Sequence, residues 1–323
     1  MKNHNLRLHC GETMKAITFT TILAILVSLS GCISSAVRVD QTPTSAVQMA
    51  TEQGSSALKQ MRTASSKTML VAAHRGGYES DKVDQAPENS LANIQNSQSK
   101  GIDLYETDIQ RTKDGHFVMI HDPTIDRETT GTGQASNMTL EELQQLHKRY
   151  RDGSVSNERV ATLAQFLQQG KGKTVFKADL KPGVSKHFTA IMGLVTQHDA
   201  LEGIIFRVPY QQSDLFAQYK ADGVPYARSL LMFKVSSKQQ INDIKARFDP
   251  LTIQINIKKS DPAHHKTLEL IQYATSQGLL VETHADGKAE DWDKLIEAGV
   301  RMFHTKRASK MKDFLHQYQE TIY

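Results

Sequence analysis

Thiol chemistry is excluded from most of this chain. Its two cysteines, Cys10 and Cys32, both precede residue 33, so the remainder has no sulfur for a disulfide, a zinc knuckle or a cysteine nucleophile. No Lys/Arg-rich run of five or more occurs, and the net charge of +4 with a pI near 8.8 is spread along the chain. That balance suits small anionic substrates but forms no nucleic-acid stripe, so no nucleic-acid partner is expected. Neither a G-x-G-x-x-G dinucleotide loop nor a Walker loop is present, and no internal repeat is found. What remains is a globular composition, 39% hydrophobic and 23% charged, in which chemistry must come from oxygen and nitrogen groups.

The N-terminus reads as an address. Residues 16–30 are apolar and uncharged, follow Lys15 and end in small residues, the layout of a secretory signal and too short for a comfortable membrane span. The stretch closes on Leu29-Ser30-Gly31-Cys32, which matches the bacterial lipoprotein box, with Cys32 as the lipid-attachment residue. Residues 1–31 are therefore expected to be a signal peptide, with Met14-Lys15 as an alternative start. The residue after the cysteine is Ile33 and not Asp, which in a double-membraned host implies sorting to the outer membrane. Residues 32–67 are rich in Ser, Thr, Gln and Ala and, after the cysteine, lack any aromatic. They are expected to form a lipid-anchored flexible tether.

From residue 68 to 323, β-rich runs alternate with amphipathic stretches. Strands are expected at 69–74, 102–109, 117–121, 174–180, 203–208, 226–233, 251–257, 279–285 and 300–305. Helices are expected at 88–100, 139–149, 162–169, 186–199, 213–221, 237–248, 263–277, 289–298 and 307–318. Such alternation predicts an α/β fold with a parallel sheet, and the span, close to the roughly 250 residues usual for the fold, favours a TIM-like (β/α)8 barrel. One strand is then surplus, either an extension of the barrel or a segment that is not a strand.

The chemistry concentrates between residues 71 and 122. Val71-Ala72-Ala73 runs into His74-Arg75-Gly76-Gly77, placing an imidazole and a guanidinium at a strand's C-terminal end, where such barrels carry their active sites. Glu106 and Asp108 are two apart in a strand and share one face, where two carboxylates repel unless a cation lies between them; a hard divalent ion is the natural partner. A turn at Thr112-Lys113-Asp114-Gly115 brings His121 back roughly opposite Asp108. Alternation in Lys177-Ala178-Asp179-Leu180-Lys181 sets Lys177, Asp179 and Lys181 on one face. Two histidines, three carboxylates and several cations suit phosphodiester cleavage. Cations neutralise the phosphoryl oxygens, one imidazole deprotonates the attacking oxygen and the other protonates the leaving alcohol.

The same block resembles the glycerophosphodiester phosphodiesterase family of the PLC-like phosphodiesterase superfamily. His74-Arg75-Gly76, Pro87-Glu88-Asn89-Ser90, Glu106-Thr107-Asp108, Thr112-Lys113-Asp114-Gly115 and His121-Asp122 match its motifs in order, and Ala161-Thr162-Leu163 is close to its Pro-Thr-Leu. The resemblance implies His74 and His121 as the acid/base pair and Glu106, Asp108 and Asp179 as ligands of one Mg2+ or Ca2+. It further implies Arg75 and Lys181 as phosphate partners, with glycerol 3-phosphate and an alcohol as products. Asp179 stands where the family usually has Glu, and related phospholipase D enzymes on the same barrel, which act on intact lipid, have Asp there. Phe206-Arg207, Val281-Glu282-Thr283-His284 and Thr305-Lys306 also depart from the family pattern on the substrate side. The lipid-acting chemistry and a surface-binding lipoprotein without turnover are therefore the alternative readings.

Overall fold

The structure, a computed structural model, describes residues 68–77, 86–257, 264–286 and 289–322, with Ala57, Lys59 and Met61 ahead of them. The expected signal peptide, Cys32 and all but those three residues of the expected tether lie outside this set. In chain order the elements are β1 (Leu70–Ala73), α1 (Leu91–Ser99), β2 (Leu104–Arg111), β3 (Phe117–Met119), α2 (Leu140–Gln144), β4 (His147–Arg149) and β5 (Val155–Arg159). There follow α3 (Leu163–Gly170), β6 (Val175–Leu180), α4 (Phe188–Gln197), β7 (Ile204–Pro209), α5 (Ser213–Ala221), β8 (Leu231–Val235) and α6 (Lys238–Phe248). The chain continues through β9 (Thr252–Ile255), α7 (His265–Ser276), β10 (Leu280–His284), α8 (Ala289–Ala298), β11 (Val300–Thr305) and α9 (Ala308–Ile322).

Eight parallel strands run in the order β1-β11-β10-β9-β8-β7-β6-β2, and β2 returns to pair with β1, closing a TIM-like barrel. The surplus strand is β3, which pairs antiparallel with β2 on the outside of the ring. Two expectations need correction. The helix expected over 139–149 stops at Gln144, and His147–Arg149 instead pairs with Val155–Arg159 as an antiparallel ribbon. The strand expected over 226–233 begins only at Leu231.

Local signals explain where helices begin. Ser90 caps α1 by accepting from the Asn93 amide, and Thr139 and Thr162 form capping boxes with Glu142 and Gln165.

The barrel interior has two halves. Toward the strands' N-terminal ends, Leu70, Ala72, Leu104, Val175, Ile205, Met232, Leu280 and Met302 form one apolar layer. Ala57 and Met61 are buried in that layer, at 2% and 1% exposure. Of the tether expected to reach residue 67, only Ala57, Lys59 and Met61 are described, and two of these three side chains pack against the barrel's lower layer. Alternation along the same strands then lifts Glu106, Asp108, Lys177, Asp179, Arg207, Gln254, Glu282 and His304 into the upper half.

Candidate active site

Backbone register brings the expected residues together at the C-terminal mouth. Glu106 lies opposite Lys177 and Asp108 opposite Asp179 across β2 and β6, and Asp179 lies opposite Arg207 across β6 and β7. The side-chain oxygens of Glu106, Asp108 and Asp179 converge within 4.8 Å of one another, and all three residues are buried. Burial first, and then the charges of Asp108 and Asp179, push Glu106 well above the usual carboxylate range. Three carboxylates so close, one of them driven toward protonation, are the donor set of a hard divalent cation; the residues present fit such an ion.

The carboxylates are not left to themselves. Lys181 Nζ stands 2.7 Å from Asp108 Oδ1, and Asn89 Nδ2 donates to Asp108 Oδ2 at 3.0 Å. Thr107 in turn donates to Asn89 Oδ1 at 2.8 Å, which fixes the amide. Arg207 donates through Nε and a terminal nitrogen to both oxygens of Asp179 and through its other nitrogen to Gln254 Oε1 at 3.1 Å. Burial opposes ionisation of Asp179, but this guanidinium overrides it and lowers the carboxyl below its ordinary range.

His74 follows β1 directly, in a turn that requires glycine at position 76. Gly76 has φ 87°, and a Cβ there would lie 2.3 Å from Asn93 and 2.4 Å from Tyr105. Arg75 is itself left-handed at φ 52°, a costly conformation for a non-glycine residue. It is held by its amide donating to Glu106 Oε2 at 2.8 Å and by its guanidinium, 2.9 Å from Glu88 and 3.7 Å from Asp108. Arg75 is thus enclosed, whereas Lys181 reaches the rim. His74 Nε2 is 4.0 Å from Glu106 Oε2. Burial and the neighbouring Arg75 lower the His74 imidazole to about 2, so the ring is neutral.

His121 lies slightly off its expected place. Ile109 pairs with Met119, so the turn sets Ile120 against Asp108 and His121 one step beyond. Its ring still reaches the mouth, because a separate frame holds it. Glu128 Oε1 accepts from the amides of His121 and Asp122, and Asp122 Oδ1 stands 2.6 Å from His121 Nδ1. Arg127 then bridges Asp122 and Glu88 at 2.6 and 2.7 Å. Glu88 therefore joins the loops that carry the two histidines.

One buried group has no signal in the motif block. His304, on β11, points into the ring between Lys177 and Glu106, with Nδ1 3.1 Å from Lys177 Nζ and Nε2 3.4 Å from Glu106 Oε2. A lysine ammonium only donates, so Nδ1 accepts and Nε2 carries the hydrogen toward Glu106. Lys177 also pairs with Glu282 at 2.6 Å, and Gln254 donates to the same oxygen at 2.6 Å. Inward alternation on the last strand was the available clue to His304, but it becomes readable only once the ring closes onto β1.

Comparison with known proteins identifies the family. The sequence profile described as the Glycerophosphoryl diester phosphodiesterase family matches residues 74–310. A glycerophosphodiester phosphodiesterase of Caldanaerobacter subterraneus subsp. tengcongensis is 37% identical over 117 residues, 36% of this chain and 46% of that protein. The matched segment thus spans about half the length of that relative. Among solved structures, a glycerophosphoryl diester phosphodiesterase from Parabacteroides distasonis superposes with a TM-score of 0.67 at 22% identity, over 81% of this chain and 92% of that one. An Oleispira antarctica phosphodiesterase, solved with its product sn-glycerol-3-phosphate, gives 0.62 at 21% identity, over 78% of this chain and 99% of that one. These two likenesses establish a shared fold. With the family profile covering most of its length, the chain belongs to the glycerophosphoryl diester phosphodiesterase family.

Proposed function

We propose that the barrel hydrolyses glycerophosphodiesters to glycerol 3-phosphate and an alcohol, with one Mg2+ or Ca2+ held by Glu106, Asp108 and Asp179. The observation that carries this reading is the convergence of these three buried carboxylates with two imidazoles at the C-terminal mouth. When bound, the cation offsets charge on the phosphoryl oxygens. Lys181, at the rim, contributes a second positive charge there, and the enclosed Arg75 adds its field from behind Asp108. His74, kept neutral by burial, accepts the proton of the attacking oxygen as its bond to phosphorus forms. His121, anchored through Nδ1 on Asp122, presents Nε2 to the leaving oxygen and supplies its proton as the ester bond breaks. The family match and the relatives' names favour this substrate class over intact lipid.

Hydrolysis of a glycerophosphodiester panel by the full chain, with EDTA and then with restored Mg2+ or Ca2+, tests the reading. Metal-restored release of glycerol 3-phosphate supports it; no hydrolysis of that panel beside metal-dependent cleavage of an intact phospholipid offered in parallel would replace it with the lipid-acting alternative.

The N-terminal address is part of the same proposal: an exported lipoprotein, membrane-anchored through Cys32 and facing the periplasm or the cell surface. Among the described residues no helix is long and apolar enough to cross a membrane, and the support lies in the Leu29-Ser30-Gly31-Cys32 box. Cys32→Ser should move the protein from the membrane fraction to the soluble one with activity retained. Lipid labelling that persists in this variant would rule the anchor out.

A further inference from the structure

Beside His121 the mouth opens into a cavity of about 470 Å3 whose wall carries Arg111, Lys113, Lys181 and His187 and not one carboxylate. The acids nearby are committed elsewhere. Asp114 accepts from Thr112 and from the Leu140 amide, Glu128 holds the backbone of His121 and Asp122, and Asp126 accepts from the Gly133 amide. Glu142, which feels the Lys113 charge, is occupied in the capping box of Thr139. Lys181 is balanced by Asp108, but Arg111 and Lys113 make no ion pair with a described carboxylate. Both residues line the cavity, where no carboxylate joins them, and Gln134 and Ser136 add hydrogen-bonding groups on the same wall.

A phosphodiester has two ester arms, and the reacting phosphate is already met by the groups at the barrel mouth. The glycerol arm carries no charge of its own, so a wall lined by cations and by no carboxylate is matched to the other arm. Resting on the reading that the barrel cleaves glycerophosphodiesters, we infer that this cavity receives the leaving alcohol and selects alcohols bearing an anionic group of their own, such as a second phosphate. A choline-type cationic head group would be repelled by the same wall, and concavity raises the effect above that of exposed surface charges.

The substrate pair that isolates the claim is glycerophosphoinositol and glycerophosphoinositol 4-phosphate, which differ by one phosphate, with glycerophosphocholine as the cationic comparison. For the full chain, the phosphorylated ester should have a KM about tenfold lower than its parent, with kcat little changed, and the choline ester the highest KM. The advantage should shrink as ionic strength rises from about 0.05 to 0.5 M. The double variant Arg111→Gln/Lys113→Gln should bring the two inositol esters within about twofold of each other. Equal KM values for the inositol pair, or a preference for the choline ester, would overturn the inference while leaving the phosphodiesterase reading in place. If none of the three esters is cleaved, that reading fails instead. Calorimetric binding of glycerophosphoinositol 4-phosphate to wild type and double variant then decides the cavity's preference on its own: tighter binding than the parent supports it, and equal binding refutes it.

Discussion

The lower and upper halves of the barrel interior are built from the same strands and differ only in which residues the alternation delivers. Below, Leu70, Leu104, Val175, Ile205, Leu280 and Met302 close on one another without polar atoms. Two or so residues further along each strand, the ionisable side chains of Glu106, Lys177, Glu282 and His304, with the less buried Arg207, occupy the upper half. The lower half stabilises by removing apolar surface from water, and the upper half costs desolvation that only pairing offsets. A stable floor thus permits an upper layer organised for chemistry, and substitutions in the two halves should fail in different ways.

The largest effect is expected at the mouth. His74→Ala or His121→Ala should lower turnover by about 10²–10⁴-fold with the fold intact, seen as unchanged circular dichroism beside steady-state rates. Near wild-type rates would remove the acid/base assignment. Breaking the buried pair with Lys177→Ala should cost about 3–5 kcal/mol in denaturant unfolding, because Glu282 is left charged and enclosed. Lys177→Met together with Glu282→Leu should recover much of that loss, since no unpaired charge remains. In the floor, Met302→Ala should cost about 2–5 kcal/mol with kcat little altered, as expected for a pure packing loss. An unchanged stability with lost activity would erase the distinction between the halves.

A smaller effect concerns pH. Burial alone would raise Glu88, yet the hydrogen bond from Arg127 and the charges of Arg75, Arg127 and Lys148 lower it from 4.5 to about 2. A depressed carboxylate contributes stability that is present above its unfolded pKa and is lost as pH falls through the folded one. Wild type should therefore lose this contribution between about pH 4.5 and 2, and Glu88→Gln should flatten the stability profile in that window. A profile with the same slope in both proteins would contradict the hub role of Glu88.

Much of this was legible in the residues alone. All nine expected strands exist, because their β-branched runs are bounded by turn residues and each recurs at the spacing of a barrel unit. The surplus strand is the short return after Gly115, too close in sequence to be anything but an antiparallel extension. The ribbon of Lys148 and Ser156 was hidden, since 139–149 carries helical spacing that tertiary pairing overrides after Gln144. Contacts made by ring closure were hidden too. Lys177 meets Glu282 across 105 residues, and His304 reaches Lys177 across 127; no local pattern encodes either. Ala57 and Met61 sit in a polar stretch whose composition describes its average and not its two buried side chains.

The most direct test is of the proposed cation site, where Arg207 pairs with Asp179. Divalent-cation affinity should be measured by calorimetry on wild type, Glu106→Gln and Arg207→Ser, alongside release of glycerol 3-phosphate. The account predicts one bound Mg2+ or Ca2+ per chain, binding abolished in Glu106→Gln together with turnover, and binding tightened in Arg207→Ser as Asp179 is freed. Full turnover in EDTA, or cation binding untouched by Glu106→Gln, would contradict it.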